Sequence, residues 1–235
     1  MSRFSMQDVR AFWDTVADIY ERENTKILEI HNQRFFEAVK YIDASGIKGI
    51  LNIWCRNGEA IPYLRELNPN FNIVNCELSH NMIKIGKEKY PHEYFFECSL
   101  HEFPFSGEKF DYVLSLETLE HVPKPILFLK EINRVLKKKG ILVMSTPPAT
   151  AEIVRKIYEM FFTDHGEGPH KFWSSFAVKK MLSESGLRLR LHKGTLILPI
   201  GFLGIYKIEK LFNPAFQFPL IREWGIRQFY VATKE

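Results

Sequence analysis

The chain has few cysteines and no long oily run. Its three cysteines in 235 residues, Cys55, Cys76 and Cys98, are odd in number, widely spaced and without a CxxC pair. They predict neither a disulfide framework nor a zinc site, and they fit a reducing cytoplasm. The longest apolar stretch, LILPIGFLGIY, is interrupted by Pro199, Gly201 and Gly204. It falls far short of the ~20 residues that span a bilayer. The start, MSRFSMQDVR, has no apolar run of the kind that marks a secretion signal. An excess of one charge is lacking too: 32 Lys and Arg against 28 Asp and Glu leave a net +4. That permits contact with phosphates or an anionic membrane surface without demanding either. Without a dense basic patch interleaved with aromatics, nucleic acid is a poor partner. What is present, 46% hydrophobic and 26% charged residues, is the balance of a cytoplasmic globular protein with one core.

No internal repeat or low-complexity linker is visible, and helical and strand patterns alternate. Phe12, Val16, Ile19 and Tyr20 form a helical stripe, and a second helix is expected over 27–41. Short apolar runs predict strands over 49–54, 71–77, 94–97, 111–116 and 140–146. Helices are expected between them, over 60–67, 81–90 and from Pro125 to about Leu136. Ser79 is placed to cap the helix over 81–90, and Pro125 suits a first helical turn. Lys137, Lys138 and Lys139 would then meet the negative end of that helix dipole. Beyond Pro148 the reading is a helix over 151–162, a loop DHGEGPH, a helix over 175–185, a strand over 187–198 and a closing strand over 227–233. Continuous apolar strands separated by helices imply a mostly parallel, Rossmann-like α/β sheet covered on both faces.

In such sheets ligands bind beyond the carboxyl ends of the strands. ILNIWCRNGEA lies where the first strand turns into a helix, the place where a tight loop receives a nucleotide-like cofactor. Glu77 stands at the end of the second strand, where its carboxylate can accept from both hydroxyls of a ribose; it is equally the acid expected at a helix start. With the order of elements, the segments NCELSHNMI (75–83), HEFPF (101–105) and the stretch 110–147 resemble the class I S-adenosylmethionine-dependent methyltransferases, in their small-molecule branch. The resemblance runs from FWDTVADIY to QFYVATK. It implies a seven-stranded sheet with an antiparallel last strand, in one domain over 1–235 with a helical lid over 1–45 and an apolar insertion over 196–226. By the same resemblance Glu77, with Leu78 beside it, would bind the ribose of S-adenosylmethionine. Ser99 and Leu100 would lie beside adenine, and Ser115 and Leu116 near the methyl-bearing sulfur. Trp13 and Tyr20 would belong to the lid.

The glycine loop departs from that family's pattern of an acid followed by three alternating glycines. Asn52, Trp54, Arg56 and Gly58 occupy those positions, so only the last glycine is kept. Glycine serves such loops because the missing Cβ frees φ and lets backbone approach ligand. Ser99 likewise replaces the usual adenine-binding acid. Two readings follow: an altered but working site in which Arg56 pairs with the cofactor carboxylate while Trp54 packs aside, or a degraded pocket in a methyltransferase-like binding module.

In ETLEH, the spacing of Glu117, Glu120 and His121 places all three on one face if the segment is helical. They could ligate a divalent cation (magnesium, manganese, iron or zinc), with a fourth ligand from His170 or, less readily, His165. The motif resembles the metal site of the ubiquinone-pathway O-methyltransferases and of the small-RNA 3′-terminal 2′-O-methyltransferases, which keeps an RNA acceptor among the alternatives. The plainer reading is two helix-start acids with His121 alone as general base. The expected reaction moves a methyl group from S-adenosylmethionine to an oxygen or nitrogen of a small acceptor. Phe202, Tyr206, Phe212, Phe216 and Phe218 fit either a packed subdomain or a lid over an aromatic or lipid-like acceptor. Lys207 and Lys210 beside them permit peripheral contact with membrane. His31, His80, His92, His101 and His192 are expected to be surface or packing residues.

Overall fold

Strand segments such as GILNI and FDYVLSL are apolar nearly throughout, which suits a sheet buried on both faces. The computed structural model describes residues 4–25, 28–152, 168–195, 222–223 and 225–235. In it β1 (Gly49–Ile53), β2 (Asn72–Glu77), β3 (Tyr94–Glu97), β4 (Phe110–Leu116), β5 (Leu136–Thr146), β6 (Leu187–Thr195) and β7 (Arg227–Lys234) form one sheet of order β3-β2-β1-β4-β5-β7-β6. The first five strands pair in parallel, and β7 runs antiparallel to both β5 and β6. This is the seven-stranded, Rossmann-like sheet expected from the sequence. Chain order reverses between β1 and β4, and that switch point opens a crevice at the carboxyl ends of the strands.

Among the described residues the α-helices include α1 (Met6–Thr25), α2 (Leu28–Ala38), α3 (Ile61–Leu67), α4 (His80–Lys89), α5 (Pro125–Val135) and α6 (Ser175–Glu184). α1 buries Val9, Trp13, Val16, Ala17 and Tyr20 along one stripe. Its start is held by reciprocal bonds in which the Ser5 N–H donates to Asp8 Oδ2 and the Asp8 N–H to Ser5 Oγ. Ser79 caps α4 as expected, accepting from the Met82 N–H at 3.2 Å. Pro125 opens α5, where its missing N–H costs no helical bond.

Two expectations are corrected. Lys137, Lys138 and Lys139 lie in β5 and not at a helix end, because the backbone turns extended at Leu136. Lys137 Nζ instead reaches Asp111 Oδ2 of β4 at 2.9 Å. Cys76 and Cys98, expected to be free, are paired as a disulfide with Cα atoms 5.9 Å apart. They are 22 residues apart in sequence, but β2 and β3 are neighbours, and the Cys98 N–H bonds to the Glu77 carbonyl at 2.9 Å. That pairing removes the ground on which a reducing compartment was expected. Among the described residues no helix is long and apolar enough to cross a membrane. The helix expected over 151–162, nearly all of the insertion over 196–226, with its aromatic residues and both lysines, and His165 lie outside the described residues, apart from 151–152, 222–223 and 225–226.

A buried ion pair fastens α2 to the far strand. Lys193 Nζ of β6 lies 2.6 Å from Glu37 Oε1, and Glu37, only 1% exposed, also accepts from Lys40 and Tyr41. Removing the acid strands a buried ammonium, whereas removing Lys193 leaves Glu37 two other donors. Glu37→Leu should therefore cost about 3–5 kcal/mol, and Lys193→Met clearly less, measured by urea unfolding.

Candidate cofactor and catalytic site

The turn after β1 keeps a glycine-like backbone without the glycines. Trp54 and Arg56 have φ of 51° and 53°, and Gly58 has φ of 93°. At Gly58 the positive φ strains any other residue, and a Cβ would press on Ile61 Cδ1 at 2.7 Å and the Tyr90 ring at 2.9 Å. Trp54 does not pack aside as one reading expected. It is 3% exposed and lies edge-on to Trp13 of α1 and to His121. The Arg56 guanidinium is sandwiched between Trp13, 3.7 Å from its ring centroid, and Trp54, at 4.0 Å. Asn52 turns its amide onto the sheet, where Nδ2 donates to Asn75 Oδ1 at 2.9 Å. A cavity of about 20 Å³ remains among Asn52, Trp54, Arg56, Glu59, Arg34 and Leu116, room for about one water.

Glu77 ends β2 with no exposed surface. Its Oε1 accepts the N–H groups of Leu78 and Ser79, and its Oε2 accepts that of Arg56 at 2.8 Å. A carboxylate has about four lone-pair sites, so little accepting capacity is left while the turn stays in this place. Burial pushes Glu77 up to about 7, against the lowering pull of Arg56 and those backbone donors. Leu78, Ser99 and Leu100 lie next to it, all buried except Ser99, whose Oγ accepts from the His101 N–H. The parallel register therefore gathers the four expected cofactor segments on one edge of the sheet.

At the end of β4, Ser115 and Leu116 face the same edge, and Ser115 is fully buried. The metal cradle expected from Glu117, Glu120, His121 and His170 does not form: among the described residues no three His, Cys, Asp or Glu side chains gather as ligands. Glu117 has φ of 52° and the helical turn is a short 3-10 turn over Leu119–His121, so the shared face of a helix never arises. Glu117 Oε1 instead accepts from Ser145 Oγ at 2.8 Å and from Arg227 Nε at 3.2 Å. Glu120 Oε2 accepts from Thr146 Oγ1 at 2.9 Å. His170 donates to the Gly168 carbonyl and stands 3.5 Å from Glu152.

His121 is 3% exposed, and its Nδ1 lies 2.9 Å from the Pro169 carbonyl. A carbonyl only accepts, so Nδ1 carries the hydrogen and Nε2 keeps the lone pair. Burial, with Arg56 nearby, drives the imidazole down to about 3. His121 is thus a neutral ring with one accepting nitrogen, packed edge-on to Trp13 and Trp54.

Sequence reasoning missed a polar knot between α1, α2 and the turn. Tyr20 donates to Glu59 Oε2 at 2.9 Å, Arg34 donates to the same oxygen at 3.0 Å, and His31 Nε2 lies 2.5 Å from Glu59 Oε1. Burial opposes the charge on Glu59, yet His31, Arg34 and Tyr20 hold it at about 2. Burial takes His31 down to about 4, and its Nε2 also lies 2.7 Å from Arg34 Nη2. His31 was expected to be a packing residue; its i, i+3 spacing to Arg34 on α2 was the available signal. His192, also expected to pack or lie at the surface, bonds Gln228 at 2.7 Å and stacks on Tyr230. α1 is pinned further by Asp14, which accepts from Ser79 Oγ at 2.6 Å, and by Arg10 paired with Glu97.

Several buried polar atoms without a hydrogen-bond partner among the described residues lie along this edge, Trp13 Nε1, Trp54 Nε1, Arg56 Nη1, Asn57 Oδ1 and Ser115 Oγ, while others lie elsewhere, at Asn133, Trp173 and His192 among them. Such atoms call for a partner, which a polar ligand or ordered water supplies. With an acid at the end of β2, they fit the chemistry of S-adenosylmethionine, which carries ribose hydroxyls, an amino-acid end and a cationic sulfur. The sheet order and this edge define a class I methyltransferase fold. Residues 51–144 match the methyltransferase domain family. The demethylmenaquinone methyltransferase of Staphylococcus aureus is 26% identical over 168 residues, covering 68% of this chain and 69% of the relative. Among solved structures, an S-adenosylmethionine-dependent methyltransferase of Thermotoga maritima, described as a possible histamine N-methyltransferase, superposes with a TM-score of 0.71 at 19% identity, covering 98% of this chain and 100% of that one. A chain of the Haloferax volcanii complex between a methyltransferase and the Trm112 methyltransferase activator also gives 0.71, at 15% identity, covering 94% and 96%. Over residues 51–144 the chain thus matches the methyltransferase domain, and its sheet shares the fold of the S-adenosylmethionine-dependent methyltransferase of Thermotoga maritima.

Two buried groups should shape stability in opposite directions. The folded chain refuses a proton at His121, so that contribution is complete above the ordinary 6.5 and is lost as pH falls toward about 3. Glu77 keeps a proton that an unfolded carboxyl releases, so its contribution is complete below the ordinary 4.5 and is lost as pH rises through about 7. Thermal melts across this range should lose the acid-side component in His121→Gln and the neutral-side component in Glu77→Gln.

Proposed function

We propose that this methyltransferase moves the methyl group of S-adenosylmethionine to an oxygen or nitrogen of a small, aromatic or lipid-like acceptor, with His121 as the proton-accepting group. The observation that carries the reading is the neutral His121, whose Nδ1 is tied to Pro169 and whose Nε2 lone pair is kept for an incoming proton. The relative named for demethylmenaquinone supports an acceptor of ring-bearing, lipid-like character. Trp13, Trp54 and His121 supply apolar ring surface at the same place.

The cofactor supplies an electrophilic methyl group on a positively charged sulfur. Glu77 would accept from the ribose hydroxyls once the turn yields its N–H bond, Leu78 and Leu100 would give the apolar walls, and Ser99 would stand beside the adenine. Ser115 and Leu116 would border the sulfur, and Tyr20 holds α1 down through Glu59. These residues act by alignment and exclusion of water: a nucleophile held in line with the methyl group needs little further help. His121 takes the acceptor proton as the new bond forms. Its low basicity limits how early that transfer runs, so the proton moves late, once the acceptor has become acidic through methylation. The α1–α2 segment serves as the lid over this edge. Glu117, paired with Arg227, is a structural tie between β4 and β7.

Two outcomes test the reading. Titration calorimetry should detect S-adenosylmethionine binding that Glu77→Ala weakens at least about tenfold, the scale of hydrogen bonds to a charged group. In a methyl-transfer assay with hydroquinones, phenols and amines as acceptors, His121→Ala should lower kcat by roughly 10²–10⁴ with cofactor affinity retained. Full activity without the imidazole would overturn its role.

A further inference from the structure

The turn after β1 sets residue against backbone. At Trp54 and Arg56 the chain adopts the left-handed conformation that suits glycine, yet both positions carry large side chains, and both are buried. Strain kept at a ligand crevice points to a use for the side chains that cause it. The Arg56 guanidinium lies against the faces of Trp13 and Trp54 at 3.7 and 4.0 Å. Its Nη1 has no hydrogen-bond partner among the described residues. A buried cation thus lies between two indole rings, one from α1 and one from the turn, with the Glu77 carboxyl as its electrostatic partner. That sandwich exists only while α1 lies over the crevice, and it leaves a cavity of about 20 Å³. Glu77, which meets the same turn through the Arg56 N–H, stays sealed in this arrangement.

We propose that Arg56 is an internal plug: its guanidinium occupies an aromatic clamp, formed by Trp13 and Trp54, that receives the sulfonium end of S-adenosylmethionine when α1 lifts. This rests on the cofactor reading given above. The faces of an indole attract any cation brought within about 6 Å of the ring, and the clamp has room for one cation at a time. Entry of the cofactor therefore requires Arg56 to leave, and only the open fraction of the protein binds. Methyl transfer turns the sulfonium into a neutral thioether. The product loses its hold on the rings, and the guanidinium retakes them. One pair of rings thus gates entry and favours release.

Stopped-flow tryptophan fluorescence reads the clamp directly, with S-adenosylmethionine and S-adenosylhomocysteine as probes and no acceptor present. Arg56→Ala should raise both the association rate and the affinity for S-adenosylmethionine by about tenfold, the scale of one desolvated cation–π contact. Trp54→Leu should shrink the preference for the sulfonium over the thioether by a similar factor. Circular dichroism checks folding. If Arg56→Ala does not fold, Trp13→Leu replaces it and should speed association while lowering that preference. Binding by Arg56→Ala where the wild type binds nothing would support the plug in its strongest form. Wild-type binding that Arg56→Ala leaves unchanged or slows would overturn the plug and leave the cofactor reading standing. No binding by the wild type or any variant at millimolar ligand would overturn the cofactor reading and the plug with it.

Discussion

The carboxylate of Glu77 is where the two halves of the crevice are joined. It ends β2, yet it is bonded to the N–H of Arg56 in the turn after β1 and to the N–H groups that open α4. A buried acid is tolerable only when its oxygens find donors. The backbone of both loops must therefore converge on this one group. That demand sets the left-handed turn at Trp54 and Arg56, and the turn in turn presents their side chains to α1. The tight packing of α1 over the crevice is thus a consequence of how Glu77 is satisfied.

The same logic separates acid from acid along the sheet edge. Glu77 is surrounded by backbone donors, Glu59 by Tyr20, Arg34 and His31, and Glu117 by Arg227 and Ser145. Each carboxyl group finds its donors locally, from a different set of partners. The crevice consequently presents rings and one guanidinium toward α1, and His121 stays neutral among them. A cationic methyl donor and an apolar acceptor meet a surface whose carboxylates already hold donors of their own.

Much of the fold was legible because strands buried on both faces must be apolar throughout. The runs around Leu51, Ile73, Val113 and Leu142 left little other choice, and the caps at Ser79 and Pro125 are local events that sequence records. The positions of Glu77, Ser99 and Ser115 followed, because strand ends are set by strand order. What sequence did not record was backbone geometry. Glu117, Glu120 and His121 have helical spacing, but a positive φ at Glu117 delays the turn to Leu119. The pairing of Cys76 with Cys98 was hidden because adjacency of β2 and β3 is a tertiary fact. The destination of Trp54 was equally hidden, since its partner Trp13 lies on a helix some forty residues earlier.

The antiparallel strand has a consequence for assembly of the chain. β7 fills the gap between β5 and β6, pairing Thr146 with Gln228 on one side and Thr195 with Arg227 on the other. It also brings Arg227 to Glu117 and to Gln33 of α2. During synthesis β1 to β5 can form a parallel platform early, but β6 has no strand to join until β7 arrives. Contacts spanning this much sequence are slow to close. The site edge near Glu117 therefore matures last, and a nascent chain stalled before β7 exposes two open strand edges to whatever neighbours it.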